Sequence, residues 1–366
     1  IQTWQMVKGP TYDKEARKVT APGELQKTEI PVPELGQNEV LVKIAGCGVC
    51  HTDMSYFYDG VPTVTKPPLT LGHEISGTVV AAGPGAESWV GKNVIVPAVM
   101  PCGQCDVCKR GFGNICAAQK MPGNDIQGGF ASHIVVPAKQ LCEVPLGSDG
   151  KPAGASGVSL AELSVVADAL TTPYQAIHES GLTDQDTAIF IGIGGVGGFG
   201  VQIAKALGAF VLAIDVDAQK LAAIGACADQ TFNAAQMPFK DLRKAVSDAV
   251  KAAGRRRTEW KIFETSGTAA GQQTAFGLLT FGASLAVVGF TMDTVNLRLS
   301  NLMAFHATAR GNGGCVPEHY PAALDLVLSG KVRLGPFVKT FPLDQINDVF
   351  EMVHGRRIRE RPIMVP

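Results

Sequence analysis

An α/β chain in two parts is what this sequence predicts, and three observations predict it. The first is a set of short apolar strands separated by Gly- and Pro-rich turns before residue 150. The second is the alternation of apolar strands with helical periodicity after residue 160. The third is the glycine run Gly192-Ile193-Gly194-Gly195-Val196-Gly197 between a strand and a helix of that second part. The expected architecture is a β-rich domain joined to a doubly wound parallel sheet that binds a dinucleotide.

The 366 residues suffice for two domains of ordinary size. A chain that is 46% hydrophobic and 18% charged, with 42 glycines, reads as globular and not disordered. A net charge of −1 supplies no basic field for nucleic acid, so no nucleic-acid partner is expected. No long apolar run reads as a membrane span, and the charged N-terminal stretch with Lys8, Asp13, Lys14, Glu15 and Arg17 does not read as a signal peptide. Nine cysteines, four of them clustered, fit thiolates in a reducing cytoplasm better than a disulfide framework.

In chain order, Val40-Leu41-Val42-Lys43-Ile44 is a strand that feeds Gly46-Cys47-Gly48-Val49-Cys50-His51-Thr52-Asp53. About twenty residues on comes Gly72-His73-Glu74, in front of a further strand at 75–80. A thiolate and an imidazole from two nearby turns suit zinc, so Cys50 and His73 are candidate ligands of a catalytic ion that keeps one position open. The alternative is a buried thiol beside a loop histidine. Asn93–Val96 and 130–136 are expected strands. Between them stand Cys102, Cys105, Cys108 and Cys116, four thiols in one short loop that can close a tetrahedral shell around a structural zinc. Disulfides or an iron–sulfur cluster are the alternatives there.

From Leu160 the spacing of Leu163, Val166 and Ala167 predicts a helix, and the domain boundary is placed there. Thr187–Ile191 is a buried strand, the glycine run follows, and Phe210–Ile214 is a second strand ending at Asp215, 18 positions after Gly197. Glycines in that turn let the backbone approach a pyrophosphate, and the helix start supplies free N–H groups. Asp215 can bind both ribose hydroxyls and repels a 2′-phosphate, which favours NAD over NADP. Strands are expected at 261–264 and 283–288, and helices near 317–329 and 343–354.

Taken together, the 46–53 and 72–74 motifs, the four-cysteine lobe, Gly128-Gly129-Phe130-Ala131 and the glycine run resemble the zinc-dependent medium-chain alcohol dehydrogenase family over nearly the whole chain. The resemblance implies a GroES-like catalytic domain (1–160, completed by 311–366) around a Rossmann NAD-binding domain (161–310). It also implies two zinc ions and NAD per chain, and a small-molecule alcohol as substrate. By the same resemblance Asp168 is the third catalytic zinc ligand, where the family usually has Cys. Glu74 lies beside the ligands or serves as an alternative one, and Asp53 orients His73. Thr52 takes the substrate proton, and His51 touches the cofactor and helps pass the proton on. Ser55 stands where a relay histidine is common, which leaves the proton route open. Lys220, Val288 and Arg359 are implied cofactor contacts, together with Gly192, Gly194, Gly195, Val196, Gly197 and Asp215. The family implies a homo-oligomer, with a tetramer favoured.

Within the family, the segments 1–6 and 56–62 resemble dehydrogenases of a cyclic secondary alcohol carried as a CoA thioester, from anaerobic aromatic degradation. A CoA partner needs cations for its phosphates, and Arg255, Arg256, Arg257, Arg356, Arg357 and Arg361 are the candidates. The competing substrate is a simple primary, secondary or aromatic alcohol. A zinc-free reductase is disfavoured by the four-cysteine lobe and the Cys50/His73 pair. An NAD-sensing binding protein is disfavoured by the near-neutral charge.

Overall fold

The computed structural model describes residues 1–13, 15, 18–154 and 157–366. Lys14 and Arg17 of the charged N-terminal stretch, and residues 155–156 of the Gly/Pro/Ser-rich loop, lie outside the described residues. The chain divides into two compact units: residues 1–171, 314–330 and 337–366 form the first, and residues 172–313 and 331–336 the second.

The first unit is built on a seven-stranded, mostly antiparallel sheet. Its long strand Glu39–Gly48 alternates as a sheet facing a core requires: Val40, Val42 and Ile44 are buried while Lys43 points to solvent. Each such fully buried aliphatic side chain stabilises the fold by about 1.5–3 kcal/mol. Glu39–Gly48 pairs on one edge with Glu74–Ala82. On the other edge it pairs first with His133–Pro137 and then, at Cys47 and Gly48, with the C-terminal strand Arg361–Val365. The metal-motif segments 46–53 and 72–74 are thereby brought to the same end of neighbouring strands. A second sheet packs Gln2–Lys8 between Glu24–Glu29 and Leu69–Thr70.

The second unit is a six-stranded parallel sheet. Its order is Gln230–Asn233, Phe210–Asp215, Thr187–Ile191, Lys261–Glu264, Ser284–Val287, Thr308–Gly311. That order reverses direction at Thr187–Ile191 and is the doubly wound dinucleotide-binding topology. Thr187–Ile191 and Phe210–Asp215 are buried at every position, which is why both read as apolar runs. The helix Phe239–Ala252 buries Leu242, Val246, Ala249 and Val250, one face at i, i+4, i+7 and i+8.

Two sequence expectations need adjusting. The first unit continues to Thr171, beyond the expected boundary at 160, and residues 331–336 join the second unit. The expected helix from Leu160 is a 3-10 segment, Glu162–Ala167, and the α-helix begins at Thr171. Leu163, Val165, Val166 and Ala167 are all fully buried. An amphipathic α-helix would leave one face outward, and here no face is spare.

Candidate metal and dinucleotide sites

Cys50 caps the helix His51–Phe57, and its backbone N–H donates to Asp53 Oδ2 at 2.9 Å. The other oxygen of Asp53 accepts from Gly72 N at 3.0 Å and lies 3.7 Å from His73 Nδ1. Asp53, fully buried, thus ties the two motifs together and faces the imidazole, whose Nδ1 has no hydrogen-bond partner among the described residues. Nε2 of His73 turns the other way, 3.4 Å from Asp168 Oδ2, and Cys50 Sγ lies 3.6 Å from the same oxygen. Asp168 gets there because the 3-10 segment ends at it with the backbone leaving the helical region (φ −145°, ψ −60°). Ligand atoms of Cys50, His73, Glu74 and Asp168 all lie within 4.8 Å of one another.

Glu74 differs from the other three. Arg361 holds its carboxylate two-pronged: Nε donates to Oε2 at 2.7 Å and Nη2 to Oε1. Ala169 N donates to Oε1 as well, at 3.2 Å. Both partners are buried. Burial pushes the Glu74 carboxyl up, to about 7, against the pull of Arg361. Burial alone would lower the His73 imidazole, yet the carboxylates of Asp53 and Asp168 more than reverse this and raise it. Cys50, His73 and Asp168 offer one thiolate, one imidazole and one carboxylate, a set that suits zinc with an open fourth position.

The four-cysteine lobe passes a geometric test. A tetrahedron of Zn–S bonds near 2.3 Å has edges of about 3.8 Å. The sulfur pairs Cys105–Cys108, Cys102–Cys116, Cys105–Cys116 and Cys102–Cys108 are 3.4, 3.6, 3.8 and 3.9 Å apart, and all four thiols are free. Backbone N–H groups of Gln104 and Cys105 lower Cys102 to about 6, while burial pushes Cys108 up to about 12. The four sulfurs are free and spaced as the corners of a closed tetrahedral metal shell, not as disulfide-bonded pairs.

In the second unit, Gly192 leaves the strand at φ +92°, and a Cβ there would meet the Ser266 backbone at 2.4 Å. A Cβ on Gly197 would meet Gly192 O at 1.9 Å. Only glycine fits either place, so the turn is tight and the helix Gly197–Ala206 starts directly behind it. Asp215 ends its strand at 9% exposure. One oxygen accepts from Ile193 N at 2.6 Å inside the turn, and the other from Asp217 N at 2.9 Å. Its charge is therefore fixed beside the glycine run. Asp215→Ala should loosen the turn and remove the repulsion together. Steady-state kinetics should show KM for NAD rising at least about tenfold and the NAD/NADP preference shrinking. An unchanged preference would remove Asp215 from cofactor selection.

Of the other expected cofactor contacts, Val288 donates its N–H to Glu264 O at the end of the neighbouring strand, and Lys220 lies in the first turn capped by Asp217. Gly194, Gly195 and Val196 form the turn itself. His51 is exposed at the helix start, Thr52 Oγ1 is 3.6 Å from Cys50 Sγ, and Ser55 is buried.

The arginines expected to meet CoA phosphates mostly do something else. Arg361 is buried against Glu74 and is corrected from surface cation to site residue. Arg255 donates to Asp184 O, and Arg256 pairs with Asp186 and Glu259. These contacts, and Arg257 with them, sit where the strands at 187 and 261 begin, the end of the parallel sheet opposite the glycine turn. Arg357 faces Glu351 at 3.7 Å, and Arg356 and Arg359 are exposed. Sequence reasoning missed the role of Arg361; its one signal was a charge opening the apolar run Pro362-Ile363-Met364-Val365.

Comparison with known proteins bears on both sites. Residues 36–146 match the family model described as alcohol dehydrogenase GroES-like domain, and residues 195–329 that described as zinc-binding dehydrogenase. The chain is 31% identical over 346 residues to an alcohol dehydrogenase of Geobacillus stearothermophilus, covering 93% of this chain and 95% of that one. It is 29% identical to an L-threonine 3-dehydrogenase of Thermococcus kodakarensis, covering 89% and 91%. Among solved structures it is similar to galactitol-1-phosphate dehydrogenase from Escherichia coli, with TM-score 0.85, 25% identity and full coverage of both chains.

Proposed function

Since the chain belongs to the zinc-dependent medium-chain alcohol dehydrogenase family and is an NAD-dependent alcohol oxidoreductase, we propose that it oxidises a free secondary or primary alcohol, polyols included, to the carbonyl compound. The observation that carries this is the convergence of Cys50, His73 and Asp168, with Glu74 clamped aside by Arg361. Zinc held there would supply Lewis acidity at the hydroxyl being oxidised, and NAD would take the hydride.

The chain's own residues do the rest. Asp53 holds the N-terminus of the Cys50 helix and presents its charge to the imidazole of His73 at 3.7 Å. Thr52, beside Cys50, accepts the hydroxyl proton, and the exposed His51 next to it passes the proton to solvent. Ser55 is 7% exposed, which favours His51 as the exit. The glycine turn and Asp215 orient the dinucleotide.

The relatives' names support simple alcohols and polyols. The finer reading is oxidation of 6-hydroxycyclohex-1-ene-1-carbonyl-CoA to its 6-oxo product in anaerobic benzoyl-CoA degradation. It rests on the segments 1–6 and 56–62 and stands second, because Arg255, Arg256 and Arg361 are committed elsewhere. NADH formation by the zinc-loaded protein, measured on cyclohexanol, polyols, aromatic alcohols and the CoA thioester, tests both. Turnover of free alcohols is the expected result; turnover of the thioester alone would promote the second reading.

A cytoplasmic homotetramer completes the proposal. Its support is the fully exposed edge strand Thr308–Gly311 and the exposed Phe290, Met292, Leu299 and Met303 of the same unit. Among the described residues no helix is long and apolar enough to cross a membrane.

A further inference from the structure

Asp168 reaches the metal cluster from backbone that lies between two elements, after the 3-10 segment Glu162–Ala167 and before the helix that begins at Thr171. Its φ of −145° and ψ of −60° are those of neither a helix nor a strand. Two side chains hold the peptide planes that flank it. A peptide unit is planar, so holding its oxygen or its N–H holds the whole plane. The plane before Asp168 carries Ala167 O, which accepts from the Tyr320 hydroxyl. The plane after it carries Ala169 N, which donates to Glu74 Oε1 at 3.2 Å. With both planes held, the direction of the Asp168 Cβ is set, and so short a side chain places its carboxylate accordingly.

Tyr320 opens the helix Tyr320–Leu328, 153 residues along the chain from Ala167. It is one of the largest fully buried side chains in the protein. While its O–H donates to Ala167 O, its oxygen accepts from Ala98 N at 3.1 Å. Ala98, itself buried, stands just past the sheet strand Asn93–Val96, so the hydroxyl is anchored on the sheet side. Burial pushes the phenol well above its ordinary range, so at neutral pH it carries the proton that Ala167 O receives. Burying a hydroxyl this deeply costs free energy that a phenylalanine would not incur, and packing alone does not call for it.

We propose that Tyr320 is a positioning residue of the metal site: its hydroxyl ties Ala167 O to Ala98 N and so aims the Asp168 carboxylate at Cys50 and His73. This rests on the reading of Cys50, His73 and Asp168 as a zinc site. Tyr320 acts through the peptide plane in front of Asp168 and not by contact with the reacting atoms. Without the hydroxyl that plane is free to turn, and the carboxylate turns with it.

The test is Tyr320→Phe in the holoenzyme, beside Val353→Ala as a control for general loosening of the same unit. Val353 is buried in the helix Ile346–His354. Zinc affinity is read by chelator competition, and the cobalt-substituted catalytic site by its absorption. Y320F should bind the catalytic zinc at least about tenfold more weakly, keep the zinc of the cysteine lobe and show altered cobalt bands. V353A should do none of these. Turnover of Y320F should fall in kcat, with KM for NAD within about threefold of the parent. Coupling between two sites is reciprocal, so the catalytic ion must tighten the hydroxyl's bonds by the same factor. Removing that ion alone from the parent protein should therefore speed hydrogen exchange at Ala98 N by about tenfold and leave Val211 N of the second unit unchanged. This measurement needs no variant and decides the matter should Y320F fail to fold. Unchanged zinc affinity in Y320F, equal zinc loss in V353A, or unchanged exchange at Ala98 N would overturn the proposal. A parent protein that binds one zinc only overturns the zinc reading itself; two zinc ions in the parent with parental affinity in Y320F strike the role of Tyr320 alone.

Discussion

Arg361→Met should destabilise the first unit by about 3–5 kcal/mol, because it leaves the carboxylate of Glu74 buried and uncompensated. Glu74 has no solvent exposure and Arg361 very little, so water cannot take over the lost hydrogen bonds. Among the described residues, Ala169 N would remain as the one hydrogen-bond donor to the carboxylate. The comparison variant is the double replacement Glu74→Gln with Arg361→Met, which removes both charges. Urea unfolding should find the double variant closer to the parent protein than R361M alone, since removing both charges leaves no uncompensated buried ion. A cost below about 1 kcal/mol for R361M would mean that the pair is not held as described. The pair also matters to chemistry. A Gly48 Cβ would meet Glu74 Oε2 at 2.0 Å, so this carboxylate fills the space against the neighbouring strand and has little room to move while Arg361 grips it. Freed by R361M, it becomes a fourth donor next to Cys50, His73 and Asp168, competing for the position the alcohol needs.

Which parts of this site could be read from the sequence follows from the range of the interactions involved. Cys50, Thr52 and Asp53 are neighbours on one helix start, and the four cysteines of the lobe share one loop, so their chemistry is local and legible as spacing. The glycine turn was legible for the same reason: Gly192 and Gly197 answer to contacts within one strand–turn–helix unit and to Ser266 and Thr265 one strand away. Arg361 meets Glu74 across 287 residues, and locally only its place at the head of the apolar run 362–365 distinguishes it from the exposed arginines at 356 and 357. Arg255 and Arg256 looked available for phosphates only because the sequence does not say which end of a parallel sheet they occupy. The helix expected from Leu160 failed through a similar lack: its apolar spacing is real, but burial on all sides lets a tighter 3-10 segment deliver Asp168 instead.

Asp168→Ala should lower turnover of the zinc-loaded protein by at least about a thousandfold, as expected when some 4 kcal/mol of Lewis-acid stabilisation is lost. Asp168 is the residue whose carboxylate oxygen lies within 3.6 Å of both Cys50 Sγ and His73 Nε2, so without it the cluster keeps only two unclamped donors. Two donors do not hold a catalytic zinc, and Glu74 cannot replace the third while Arg361 holds it. Metal analysis after dialysis should therefore find the parent protein with two zinc ions per chain and D168A with one, retained by Cys102, Cys105, Cys108 and Cys116. Asp168→Cys offers the complementary measurement. A thiolate is an equally acceptable ligand, so this variant should keep two ions and most of its turnover, and its cobalt-substituted form should gain thiolate-to-metal absorption over the parent protein. D168A with full zinc content and full turnover would remove Asp168 from the ligand set. Combining D168A with R361M then separates the roles of the two carboxylates: if release of Glu74 restores the second zinc, Arg361 is what keeps the parent site at three ligands with one position open for the alcohol.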